Sequence, residues 1–214
     1  MNAPILTDLQ IDALTELVNL GVSNAATSLS ELVREEVFLS VPRVSVVTRD
    51  QAIANLREHE AKRLVGVHQD FDGDIRGRAL LIFPEVRSME LIRALVGAEL
   101  PLDDIMELEQ EALAETGNIL LNGCLSTMAN SLHRSLKISL PEVVHGDGTD
   151  FFAAMSNSDE TVLFIYINFA VKQRDIQGFL AMILDLPSLV MLQKLLDGYI
   201  ERSTGQSPTA GHVE

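Results

Sequence analysis

Three polar residues, Asp12, Glu16 and Asn19, stand at i, i+4 and i+7 in a segment whose apolar residues recur with helical spacing. On a helix they form one stripe of two carboxylates and a carboxamide, beside Leu14, Leu17 and Val18. Glu111, Glu115 and Asn118 repeat the spacing. A carboxamide has both a donor and an acceptor, so it can hold a water molecule in one orientation, and a neighbouring glutamate can anchor a cation. These two tasks suit attack of water on a phosphoryl group whose charge another molecule's Mg²⁺ and lysine already offset. The stripe brings neither a phosphate-cradling loop nor a full set of metal ligands, so it cannot do this chemistry alone. Asparagine is also a weak helix former, and finding it at both equivalent places calls for a reason.

The duplication extends well beyond the stripes. At an offset of 99 residues, Glu16 falls on Glu115, Asn19 on Asn118 and Leu39-Ser40-Val41-Pro42 on Ile138-Ser139-Leu140-Pro141. Both copies therefore read Glu-x-x-Asn, then 22 residues, then Pro. At an offset of 101, Asp74-Ile75-Arg76-Gly77 meets Asp175-Ile176-Gln177-Gly178, and Leu95-Val96-Gly97 meets Leu196-Asp197-Gly198. A period near 100 residues is too long for a solenoid and indicates a pseudo-twofold domain built from two halves. The expected division is one domain over 1–202, with repeats at about 7–100 and 103–202. The Gly-, Pro- and Ser-containing end, 203–214, reads as a disordered tail.

These landmarks must be positioned by elements that can be read in outline. The first half opens with a helix capped at Thr7-Asp8 and running through Leu32 and Val33. A strand spans Val37 to Val47, with Pro42 marking it as an edge strand or a bulge. A loop or short helix covers 49–62. Strands at 64–68 and 75–83 form a hairpin about the acidic turn Asp70–Asp74, and Pro84 opens a closing helix. The second half has a long helix over 103–134, with Gly117 and Gly123 as candidate breaks. It continues with strands at 136–145, 151–155, 161–172 and 176–184 and a helix from Pro187 to about Ile200. Adjacent strands followed by helices give an α+β class: a duplicated domain whose halves each hold a long active-site helix, antiparallel strands and a closing helix.

Composition narrows the partners. The chain has 214 residues, 47% of them hydrophobic, enough for a substantial core. Its 31 acidic residues against 16 basic ones give a net charge of −15. Such a surface repels nucleic-acid phosphates and anionic membranes and favours a partner with a basic patch. The longest fatty stretch, Val162 to Val171, is too short to cross a bilayer, so no membrane insertion is expected. The lone cysteine, Cys124, cannot form an internal disulfide, and a cytoplasmic setting is the simplest expectation. Asp70, Asp72 and Asp74 lack the glycine and glutamate spacing of a calcium loop, and the five histidines show no ligand spacing, so no metal site is expected.

The doubled arrangement of [Asp or Ser]-x-x-x-Glu-x-x-Asn-x22-Pro resembles the signature of the CheC-type phosphatases of chemotaxis, a family that includes CheX and FliY. It appears here as Asp12, Glu16, Asn19, Pro42 and as Glu111, Glu115, Asn118, Pro141, and the run Leu17 to Thr27 is similar to the family's first active helix. The resemblance spans about residues 7–200. It implies hydrolysis of the aspartyl phosphate of a CheY-like response regulator. Asn19 and Asn118 would orient water, and Glu16 and Glu115 would contact the regulator's lysine. Asp12 and Glu111 would line the docking surface. The regulator supplies Mg²⁺, and the chain needs no cofactor of its own. It also names the deamidase CheD as a candidate partner, with 100–108 as a candidate contact. Glu111 departs from the family's Asp or Ser by one methylene and predicts a weaker second site. Two full motif copies favour a stand-alone, two-site CheC type over the one-site CheX type. The rival reading is a non-catalytic adaptor for a phosphorylated regulator or for CheD, like the FliM middle domain, which has a related fold without the stripe.

Overall fold

The computed structural model describes residues 6–33, 36–58, 63–96, 102–153, 161–171 and 174–205. The first element, α1 (Asp8–Val33), starts where the sequence predicts. The Thr7 N–H donates to Gln10 Oε1 at 2.9 Å and the Gln10 N–H donates back to Thr7 Oγ1 at 3.3 Å, a reciprocal cap for the helix's orphan donors. Then come β1 (Val37–Val47), α2 (Arg49–Glu58), β2 (Leu64–Gly73), β3 (Gly77–Pro84) and α3 (Glu85–Val96). The rest of the chain is α4 (Leu102–Ser131), β4 (Leu136–Ile138), β5 (Glu142–Gly146), α5 (Gly148–Phe151), β6 (Thr161–Val171), β7 (Arg174–Leu184) and α6 (Leu186–Thr204).

One antiparallel sheet organises these elements in the order β1-β6-β7-β3-β2-β4, with β5 continuing β4's side of β2. Swapping β1 with β4 and β5, β6 with β2, and β7 with β3 turns that order into its own reverse. The registers obey the same exchange. At the centre Leu80 faces Ala181, and Ala79↔Met182 is matched by Leu81↔Leu180. An offset of 101 maps each of these pairs onto the other or onto itself, which is the offset that aligns Gly77 with Gly178 in the sequence. The first strand of each half pairs with the hairpin of the other, β1 on β6 and β4–β5 on β2, so the two halves are intertwined.

The sheet is covered on both faces. Alternate residues Val65, Val67, Leu81, Leu163, Ile165 and Leu180 pack towards the long helices, which contribute Leu14, Leu17, Val18, Leu120, Leu121 and Cys124. The intervening Leu64, Leu80, Ile82, Phe164 and Ala181 meet α2 and α5 through Ile53, Leu56 and Phe151. Each fully buried leucine contributes about 1.5–3 kcal/mol, whereas an exposed charge contributes little beyond solubility. The buried face therefore holds α1 and α4 in place, and the fold makes no demand on what their exposed stripes carry.

Several expectations change in detail. Of the strand expected over 151–155, residues 151–153 are not extended, and 154–155 lie outside the described residues. Residues 148–151 form the single turn α5, whose cap Asp147 accepts from the Thr149 and Asp150 N–H groups. The acidic run 70–74 is no tight turn: β2 continues through Gly73 because Asp70 pairs across the ladder with Arg78, and the turn lies at 74–76. Arg78 Nε donates to Asp70 Oδ1 at 2.6 Å and its Nη2 to Oδ2 at 3.0 Å. Neither Gly117 nor Gly123 breaks α4, since both are contact points. The strand expected over 136–145 is two strands, interrupted at 139–141. The final helix extends to Thr204 and ends at Gly205, whose left-handed φ of 69° lets its N–H reach Glu201 O at 2.9 Å, so residues 203–205 belong to the helix and its cap. Residues 206–214 lie outside the described residues. No helix among the described residues is long and apolar enough to cross a membrane.

Candidate functional site

The two stripes lie on α1 and α4, and these helices touch. A Cβ added to Gly21 of α1 would fall 2.6 Å from Cys124 Cα, and one on Gly123 of α4 would fall 3.1 Å from Ala25 Cβ. Only glycine allows backbones this close. One turn further on, Asn24 Nδ2 donates to Thr127 Oγ1 at 3.3 Å. The carriers of the two sites are thus fixed to each other by their backbones.

Asp12 and Glu16 are exposed and Asn19 is half-buried. Glu111 and Glu115 are likewise exposed and Asn118 half-buried. None of the four carboxylates has an ion pair or hydrogen bond among the described residues. Each stripe therefore offers two unneutralised negative charges beside a carboxamide at the edge of the core, an arrangement suited to a basic group on a docking protein.

The carboxamides differ in their surroundings. Asn19 has no hydrogen-bond partner among the described residues. Asn118 Oδ1 accepts from Asn122 Nδ2 at 2.6 Å and from Gln69 Nε2 at 3.3 Å. Gln69 Nε2 also donates to Ser139 O at 2.8 Å. Gly117 makes this reach possible, because the absence of its side chain lets α4 lie directly on Val67 of β2. Sequence reasoning missed Gln69 and Asn122. Asn122 carried a usable signal, lying one turn beyond Asn118 on the same face. Gln69 carried none, since it is 49 residues away in sequence. Ser139 was visible only as an aligned landmark.

The two motif prolines interrupt the edges of the sheet. Pro42 lies within the register shift between Ser40 and Arg43 of β1, and Pro141 lies between β4 and β5. A residue without an N–H fits where the ladder is interrupted. The second interruption places Ser139 against Gln69, and next to it Leu140 stands 85% exposed, an apolar residue beside the Asn118 cluster.

The remaining candidates are structural. Cys124 is fully buried, and burial pushes its thiol up to about 12. Burial, reinforced by the nearby Arg78 cation, lowers the His68 pKa, against the opposing pull of Glu142 and Asp70. Arg78 holds Asp70 below the usual carboxylate range, and Asp74 pairs with Arg134 at 3.2 Å. Among the described residues no group of three or more His, Cys, Asp or Glu side chains could hold a metal ion. The contact region suggested for 100–108 falls almost entirely on side chains outside the described residues.

Comparison with known proteins gives similarities to chemotaxis and flagellar-switch proteins. Residues 65–168 match the model of the chemotaxis phosphatase CheX family and residues 9–46 that of the CheC-like family. The chain is 26% identical over 149 residues to the CheY-P phosphatase CheC of Bacillus subtilis, covering 68% of this chain and 69% of that one. It is 25% identical over 142 residues to the putative CheY-P phosphatase CheC1 of Halobacterium salinarum, covering 66% and 71%. Among solved structures, Thermotoga maritima FliY superposes with a TM-score of 0.70 at 18% identity, covering 94% of this chain and all of that one. CheX from Desulfovibrio desulfuricans gives 0.52 at 14% identity, covering 79% and 99%, and the Helicobacter pylori FliM middle domain gives 0.58 at 13%, covering 89% and 99%. The fold is the intertwined α+β arrangement of these chemotaxis and flagellar-switch proteins. The chain is similar to the CheC and CheX families over these segments and shares its fold with FliY.

Proposed function

We propose that the chain is a phosphatase that hydrolyses the aspartyl phosphate of a CheY-like response regulator. The observation that carries this reading is the pair of helices presenting Glu16–Asn19 and Glu115–Asn118, with carboxylates committed to no partner among the described residues. The relatives named CheY-P phosphatases support it.

In this reading a water oxygen, oriented by Asn19 or Asn118, attacks phosphorus. The bond from phosphorus to the regulator's aspartyl oxygen breaks, the carboxylate departs with the electron pair, and a water proton goes to the released phosphate or to solvent. Glu16 and Glu115 pair with the regulator's lysine and fix the docked geometry, with Asp12 and Glu111 at the edge of the contact. Mg²⁺ held by the regulator offsets phosphoryl charge. The chain supplies orientation rather than a nucleophile, and positioning a reactant that would otherwise be mobile is a large source of rate. CheD is a second proposed partner.

The FliM-like fold keeps a non-catalytic adaptor in view, because the same scaffold need not carry the chemistry. Decay of labelled phospho-regulator at substoichiometric chain separates the two. Multiple turnovers support the phosphatase, and protection in proportion to the chain added supports the adaptor.

A further inference from the structure

The hydrogen bonds around Asn118 fix which end of its carboxamide faces inward. Ser139 O is a main-chain carbonyl and can only accept, so the Gln69 atom 2.8 Å from it is the amide nitrogen. The second proton of that nitrogen then faces Asn118, which must present its oxygen. Asn122 Nδ2 donates to the same oxygen at 2.6 Å. The anchor is rigid, because Ser139 N–H donates to Asp70 O and Asp70 N–H donates to Ser139 Oγ, both at 2.9 Å.

Gln69 is 1% exposed, and its Oε1 is buried with no partner among the described residues. An unpaired buried acceptor carries a desolvation cost that methionine or leucine would avoid, so packing alone does not ask for glutamine here. The first site has no such device among the described residues. The sheet registers place Ile165 where Gln69 would be, since Gln69 faces Ala79, Ala79 corresponds to Leu180, and Leu180 faces Ile165. The offset of 99 places the exposed Ser23 where Asn122 would be.

We propose that Gln69 and Asn122 are positioning residues of the second site, holding the Asn118 carboxamide with its Nδ2 N–H presented to the docked phosphoryl group and its water. The inference rests on the phosphatase reading above. Two donors on Oδ1 also polarise the amide and strengthen that N–H as a donor, which suits charge developing on phosphoryl oxygen. Asn118 is thereby ordered before docking, whereas Asn19 must be ordered during it.

The test isolates each site. In an N19A background, where only the second site acts, Asn122→Asp replaces a donor by an isosteric acceptor and turns the carboxamide. It should lower kcat at least roughly tenfold with KM for the phospho-regulator little changed. Gln69→Met should act in the same direction. The same substitutions in an N118A background, where only the first site acts, expose a folding defect. An equal loss there, or an unchanged kcat in the N19A background, overturns the proposal. If the wild-type chain shows no multiple-turnover dephosphorylation, it is the phosphatase reading that fails. The positioning claim is then read from the Asn118 side-chain ¹⁵N–¹H resonances, which should move in N122D, and unmoved resonances overturn it.

Discussion

Gly117 lies so close to Val67 that a Cβ placed on it would be 2.5 Å from the valine's own Cβ. The contact is between a helix and the strand beneath it, and it sits one residue before Asn118. The depth of α4 on the sheet therefore sets how far the second site's carboxamide reaches towards Gln69.

Gly117→Ala must move α4 off β2 or deform Val67. Overpacking of this kind costs about 1–3 kcal/mol, so chemical denaturation should show a loss of that size. Phosphate release through the second site, measured in an N19A background, should fall by more than release through the first site, measured in an N118A background. Equal losses at both sites would detach Gly117 from the geometry of Asn118.

Glu111 is the one motif position that departs from the pattern. Glu111→Asp in an N19A background shortens an exposed side chain by one methylene without touching the core. Turnover of phospho-regulator through the second site should rise a few-fold with stability unchanged. A fall in turnover would show that the longer side chain is the one the docking surface requires.

The pH dependence of stability should carry the mark of His68. Its folded pKa is lowered, chiefly by burial and then by Arg78, so the native state binds fewer protons than the unfolded chain. The stabilisation is fully present above the ordinary histidine value of 6.5 and is lost as pH falls through the lower folded value. Denaturation midpoints should be flat on the alkaline side and decline below that point, before Asp70 begins to be protonated near its own, still lower, range. His68→Gln should flatten the first decline. Identical slopes for both proteins between pH 6.5 and 5 would rule this origin out.

Cys124 should be chemically silent in the folded protein. Full burial and a thiol pushed up to about 12 leave almost no accessible thiolate at neutral pH. Iodoacetamide should label it only in denaturant, at a rate that tracks unfolding. Rapid labelling of the native chain would mean that the Gly21–Cys124 contact opens.

Much of this architecture could be read in advance because the duplication left its mark on small, position-specific residues. Gly77 and Gly178 aligned at the offset that the central β3–β7 register obeys, and Pro42 announced an interruption in an edge strand. The exchange of first strands between the halves was invisible, because pairing between strands so far apart in sequence leaves no periodicity. Asp70 and Asp72 read as a turn because aspartate favours turns, and the ladder overrode that preference once Arg78 stood opposite. Gly117 and Gly123 read as breaks for the same local reason, whereas their role is tertiary. At the site, the exposed stripes followed from helical spacing alone, but the support for Asn118 came from a strand folded beneath it.

The most direct measurement is single-turnover release of phosphate from a phosphorylated CheY-like receiver by the wild-type chain and by N19A/N118A, with circular dichroism as the check on folding. Both carboxamides are half-buried on helices held by their opposite faces, so the double variant should fold with unchanged stability to within about 1 kcal/mol. The account predicts that its stimulated rate drops by about 10²-fold or more, towards the receiver's own decay. A folded double variant that still releases phosphate at the wild-type rate would contradict it.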